Sequence, residues 1–338
     1  MKKLHSDLPA GIPEEQGMAS EPLSRLRELL ADRKCDIRSF TVARGRHVVF
    51  EQHRHDIPPH SQQDINSMTK SVVAVLIGAA LHQGVISRLD AQIADYLPEA
   101  REAGVSPLVA TITLRDLLTM TSGFAWNERK MDPRLLGVSD EFKSGDRLRY
   151  ALSRDIAYPP GTHFEYDSYA AHLLSVILSR ASGNDLKSYA QQALFDPLDI
   201  VPPPWATDED GIPFGGRGLK LTMQDLLKIG LLMLAGGEWE GRRILSADYV
   251  AASTQSQCTA SLPTDGSEKG FGYMWWIDTS RSVNPPYFAS GYGEQLLQVE
   301  PELELVAAVT ANHTRAPKHV REFWKDYVCA AVTGPIRR

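Results

Sequence analysis

The stretch DINSMTKSVVAVLIGAALHQG, residues 64–84, decides the fold. From Val72 to Leu81 nearly every residue is apolar, so the predicted helix is hydrophobic all round, as expected for one enclosed by protein. Two polar residues, Ser67 and Lys70, stand at its mouth. At positions i and i+3 their side chains share one helix face and can meet. A serine hydroxyl is a poor nucleophile until a base takes its proton, and a lysine serves as that base when its neutral form is favoured. Burial among Val72, Val73 and Leu76 and the positive end of the helix dipole both act in that direction. The Ser67 N–H, at the helix start, has no helical acceptor and is available to an oxyanion.

Working outward, residues 21–33 show helical spacing, and two β-rich runs flank Arg44-Gly45-Arg46, the mark of a hairpin. Residues 87–214 carry short helical patterns punctuated by Gly and Pro: TLRDLLTMTSG, GDRLRYALSRD, AHLLSVILSRASG and DLKSYAQQALFDPL. From Thr222 two more helices are predicted (TMQDLLKIGLLMLAGG and SADYVAAST), then three strand-like runs (FGYMWWID, YFASGYGEQLLQVEP and LELVAAVTAN) and a helix over 317–332. Strands near both ends and helices between them predict a mixed α/β (α+β) fold. Its antiparallel sheet is flanked by helices, with a sheet domain of residues 1–86 and 215–338 and a mostly helical inserted domain of residues 87–214. The active site is expected at the interface of the two.

Composition narrows the function. The 338 residues are 43% hydrophobic and 23% charged, which is ordinary for a globular protein. A net charge of -6 supplies no basic stripe, so nucleic acid and anionic membrane surfaces are not expected partners. Cys35, Cys258 and Cys329 are odd in number and widely spaced, which gives neither a disulfide framework nor a metal knuckle. His53, His55 and His60 lack the spacing of a metal helix, so no metal is expected. Gly215-Gly216-Arg217-Gly218 lacks the lysine and preceding strand of a phosphate loop. No leader-like apolar region and no bilayer-length run is read, so the expected compartment is the cytoplasm.

With Ser67-Met68-Thr69-Lys70 as its first element, the sequence resembles the serine β-lactamase and penicillin-binding superfamily, in particular the class C β-lactamase-like branch with its esterases, D-amino-peptide hydrolases and 6-aminohexanoate-dimer hydrolases. The second element resembles the family's Tyr-x-Asn at Tyr166-Asp167-Ser168, and the third its Lys/His-x-Gly strand at Ala289-Ser290-Gly291. ITLRDLLTMTSGFAWNE, GGRGLKLTMQDLLKIGLLMLAGGEWEG and the strands ending AVTAN frame these in the family's order, so the resemblance spans residues 64–312.

The resemblance implies a cofactor-independent hydrolase that passes through an acyl-enzyme on a small ester or amide. It makes Ser67 the nucleophile, Lys70 its base and Tyr166 the proton shuttle to the leaving group. The N–H groups of Ser67 and Tyr292 would form the oxyanion hole, and Ser168, Ser290, Gly291, Trp126 and Glu294 would line the substrate. Ala289 departs from the pattern, since it removes the cation that holds the carboxylate of β-lactam substrates, and Ser168 stands where many relatives have Asn. An ester or amide hydrolase is therefore favoured over a β-lactamase or D-amino-peptide hydrolase. A ligand-binding module that is non-catalytic, or that acylates without turnover, is the rival of another class.

Overall fold

The computed structural model describes residues 7–32, 35–128, 146–262, 266–281, 283–312 and 320–336. Helix α1 (Ser20–Leu30) buries Leu23, Leu26 and Leu30 on one face. It ends short of the predicted 21–33, and residue 33 lies outside the described residues. Strands β1 (Ile37–Arg44) and β2 (His47–His53) form the predicted hairpin, with Gly45 at φ 56° in its turn. A two-residue strand β3 (Gln63–Asp64) then leads into helix α2 (Met68–His82), in which every residue from Met68 to Ala80 is buried.

The central segment is helical as its patterns predict. Helix α3 (Leu114–Leu118) is fixed at its start by a capping box between Thr113 and Asp116, an arrangement worth about 1 kcal/mol. Helix α4 (Arg147–Ser153) is capped by Asp146, and α5 (Ser168–Ser182) runs from an Asp167 cap to a left-handed Gly183. Helix α6 (Leu186–Ala190) continues as a π-helical turn over Gln191–Phe195. Strand β4 (Lys220–Leu221) pairs with β3, so the chain returns beside the start of α2 before α7 (Met223–Leu234) begins in a second capping box, Thr222 with Asp225.

After a small ribbon, β5 (Glu238–Trp239) with β6 (Arg242–Arg243), comes helix α8 (Ala247–Ser253). The remaining strands are β7 (Cys258–Ser261), β8 (Glu268–Phe271), β9 (Trp276–Ile277), β10 (Tyr287–Gly291), β11 (Gln295–Glu300) and β12 (Leu305–Ala311). Two predicted runs prove to be broken. FGYMWWID folds back between β8 and β9 through Met274, at φ 60°, and YFASGYGEQLLQVEP is a hairpin of two strands. Strand β7 carried no alternating pattern long enough to be read. The last helical segment comprises α9 (Val320–Phe323), a π-helical turn over Trp324–Val328 and a 3₁₀ turn over Cys329–Ala331; residues 317–319 of the predicted helix lie outside the described residues.

The main sheet has eight antiparallel strands in the order β2-β1-β12-β11-β10-β9-β8-β7. Helix α7 packs across β1, β11 and β12 so closely that a Cβ at Gly230 would stand 2.5 Å from Val306 Cγ1. Helix α2 lies between β10 and β11 on one side and α5 on the other. Its N-terminus therefore faces both the sheet and the helical segment. No helix among the described residues is long and apolar enough to cross a membrane.

Candidate active site

Ser67 is the N-cap of α2, half-buried, and directly follows Asn66, whose φ of 47° puts a left-handed turn just before it. That turn is held on both sides. The Asn66 N–H donates to Asp64 Oδ1 at 2.8 Å, and its side-chain amide donates to the Tyr292 carbonyl at 2.7 Å. Asn tolerates the left-handed conformation better than most residues.

One turn on, Lys70 is almost fully buried at 2% exposure. Its Nζ donates to Ser67 Oγ at 3.0 Å and to the Gly216 carbonyl at 2.8 Å. The same Nζ lies 4.8 Å from the centre of the Tyr166 ring, which stacks on Trp276 with centroids 6.1 Å apart and planes inclined by 22°. The Ser67 hydroxyl and the Lys70 amine thus meet the Tyr166 ring from a distant segment, and these are side chains that can pass protons at an acyl centre.

Strand β10 closes the other side. A Cβ at Gly291 would fall 2.6 Å from the Ile65 carbonyl and 3.1 Å from the Ser67 nitrogen, so only glycine lets the strand approach Ser67 this closely. Ser290 is half-buried on the same strand opposite Leu296, and Tyr292, 42% exposed, opens the turn to β11. Glu294 is a turn residue at φ 62°, where the sequence suggested a strand position. Ala289 is buried and pairs with Leu297, so no cation stands at the head of this motif.

Two residues expected to line the substrate share one partner. The Ser168 hydroxyl donates to Glu128 Oε1 at 2.6 Å and its N–H to Glu128 Oε2 at 2.7 Å. Trp126 also points its indole N–H at Glu128, at 3.2 Å, and meets the Tyr169 ring edge-on at 5.5 Å. Both residues are organised around a buried carboxylate that sequence reasoning did not single out.

Gly216 was missed for a different reason. Its paired glycines were weighed only as a phosphate loop, whereas their signal is close backbone approach. A Cβ at Gly215 would stand 2.2 Å from the Ala171 carbonyl, and one at Gly216 would stand 2.8 Å from Ser168 Cβ. His53, one of the three histidines considered as ligands, is instead placed between Ser39 Oγ at 2.9 Å and Glu51 Oε1 at 2.6 Å. Among the described residues no group of three or more His, Cys, Asp or Glu side chains is placed to hold a metal.

Arg217, next to Gly216, is held below its ordinary pKa by burial, opposed by the charge of Glu128. It remains a cation at any working pH.

Comparison with known proteins gives the family and the fold. The beta-lactamase family model matches residues 25–327. The 6-aminohexanoate-dimer hydrolase of Paenarthrobacter ureafaciens is 26% identical over 314 residues, covering 85% of this chain and 77% of that protein. Esterase EstB of Burkholderia gladioli is 31% identical over 146 residues, 40% of this chain and 36% of its own. The solved structure of a family VIII carboxylesterase superposes with a TM-score of 0.69 at 18% identity, over 93% of this chain and 99% of that one. At that identity the likeness concerns the fold, which is β-lactamase-like.

Proposed function

The chain belongs to the beta-lactamase family, and from that premise we propose that it is a serine hydrolase acting through an acyl-enzyme on a small ester or amide. The observation that carries this reading is the 3.0 Å contact between Lys70 Nζ and Ser67 Oγ at the start of a buried helix. Lys70 takes the Ser67 proton as Oγ attacks the acyl carbon. The N–H groups of Ser67 and Tyr292 receive the developing oxyanion. The bond to the leaving alcohol or amine then breaks, Tyr166 delivers the proton, and water releases the acid by the reverse sequence. No cofactor enters these steps.

Esters and amides are favoured over β-lactams because Ala289 supplies no charge for a substrate carboxylate. The relatives named 6-aminohexanoate-dimer hydrolase and esterase are consistent with that preference.

The test is intact-protein mass after brief exposure to a fluorophosphonate, a p-nitrophenyl ester and a penicillin, with Ser67→Ala as control. Adducts from the first two that vanish in the variant support the mechanism, and the penicillin lane decides between ester or amide and β-lactam chemistry. Absence of any adduct overturns it and favours the binding module.

A further inference from the structure

A cleft of about 670 Å³ opens beside Tyr166. One wall is the end of α3 and the segment 161–166; the other is β7, the last strand of the main sheet. Its size is that of a small-molecule site, but its lining is not the usual apolar one.

Hydroxyls come from Thr121, Thr162, Thr259 and Ser261, and carboxamides from Asn127 and Gln257. Asp116 and Glu165 add carboxylates. Apolar side chains contribute little beyond Phe164 and Ala260.

Several of these groups keep hydrogen-bonding capacity after their internal contacts are counted. Asp116 uses Oδ2 for the Thr113 N–H and hydroxyl, while its Oδ1 lies 3.2 Å from where a Cβ at Gly161 would stand, so the glycine leaves that oxygen uncovered. Gln257 spends its amide N–H on the Ala252 carbonyl and retains its oxygen. Thr121 shares one hydrogen bond with Thr119, which leaves its hydroxyl a further lone pair.

We propose that this cleft is the leaving-group subsite and that it takes a polyhydroxylated alcohol, so that the preferred substrate is an O-acylated sugar or polyol. The inference rests on the acyl-enzyme reading, because Tyr166 is where the departing oxygen collects its proton and the cleft begins at that residue. A polyol matches a lining that both donates and accepts hydrogen bonds around its circumference, and the Phe164 ring offers an apolar surface for its C–H groups. An alkyl or aryl alcohol would instead leave the spare capacity of Asp116, Gln257 and Thr121 unused, at a cost a polar substrate avoids. The reaction balances simply: acylated polyol and water give the carboxylic acid and the free polyol, with acyl–Ser67 between.

The test compares kcat/KM for methyl 6-O-acetyl-glucopyranoside with that for cyclohexylmethyl acetate, which has the same ring and linkage without hydroxyls. A preference of about tenfold or more for the sugar ester is expected, because a site built to bond hydroxyls discriminates against the analogue lacking them. Thr259→Val and, at the rim, Asn127→Ala should each move that ratio toward one, and the second serves if the first fails to fold. Equal rates, or a preference for cyclohexylmethyl acetate, overturn the subsite in an enzyme whose Ser67 labels with fluorophosphonate. Faster cleavage of a 6-aminohexanoate oligoamide than of either ester overturns the polyol in favour of an amide chain. Failure of Ser67 to label removes the acyl-enzyme reading itself, and this one with it.

Discussion

Arg154 and Asp167, the residue after Tyr166, meet as a buried ion pair: Nη1 lies 2.9 Å from Oδ2, with side-chain exposures of 6% and 1%. The approach is one of charge rather than of hydrogen-bond direction, since neither atom has a well-aligned partner. The guanidinium packs over Phe124, Trp126 and Tyr169 at 4.3, 5.1 and 5.3 Å, and Asp167 Oδ1 accepts from the Tyr169 N–H. One cation therefore joins the Trp126 loop, the end of α4 and the turn that carries Tyr166. Arg154→Leu should cost about 3–5 kcal/mol, because it strands a buried carboxylate. Adding Asp167→Asn, which keeps a capping oxygen, should recover much of that loss; urea unfolding of the two single variants and the double variant measures it. Additive losses would show that the pair is not coupled.

The glycines that let segments converge on Ser67 should tolerate alanine poorly in activity. Gly216→Ala presses a methyl against Ser168 and shifts the carbonyl that holds Lys70, and Gly291→Ala meets the Ile65 carbonyl. Each should lower kcat/KM on p-nitrophenyl acetate by about 100-fold through misplacement of the reacting groups, with a stability cost of about 1–3 kcal/mol. Gly334→Ala, where a Cβ meets nothing within 4 Å, is the control. Equal activity in all three variants would remove the geometric argument.

His172 Nε2 lies 3.0 Å from Asp208 Oδ2, joining α5 to the loop that leads to Gly216. Burial acts to raise the Asp208 carboxyl, but the close approach and charge of His172, with the Ile212 and Asp210 N–H groups, outweigh it and hold the group below its ordinary 3.8. A depressed carboxyl stabilises the fold fully above pH 3.8, and that contribution disappears as pH falls through the lower folded value. Asp208→Asn should therefore lower stability on the order of 1 kcal/mol at pH 6, with the gap from wild type closing below pH 4. A gap that stays constant from pH 6 to pH 3 would mean that Asp208 acts through shape alone.

Cys258 lines the cleft beside Tyr166, but burial pushes its thiol up to about 11, and Cys329 rises to about 12 for the same main reason. Little thiolate exists at pH 8, so iodoacetamide should modify the folded protein about 100-fold more slowly than the same protein in guanidinium, where all three cysteines react. Rapid single-site alkylation of the folded protein at Cys258 would contradict this.

The sequence disclosed what depends on local pattern. An all-apolar run after Ser67-x-x-Lys70 can only be a buried helix, and the motif order located Tyr166 and the Gly291 strand. Side-chain traffic between segments was not legible. Nothing near Glu128 signals that it would capture Ser168 and Trp126, and Arg154 and Asp167 look like ordinary exposed charges until α4 and α5 are packed together. The β8–β9 break was hidden because WW and YM have strand propensity whichever way the chain turns. The cleft was invisible as well, since its two walls come from residues 115–127 with 161–166 and from residues 257–261.

The hold of Asn66 on the Tyr292 carbonyl reaches across 226 positions, and Ile37, at the start of the first strand, aligns with Ala311. During synthesis on the ribosome Ser67 therefore emerges long before the residues that shape its turn, and strand β1 must wait for β12 to find its neighbour. A nascent chain carries Ser67 and Lys70 without a finished site around them.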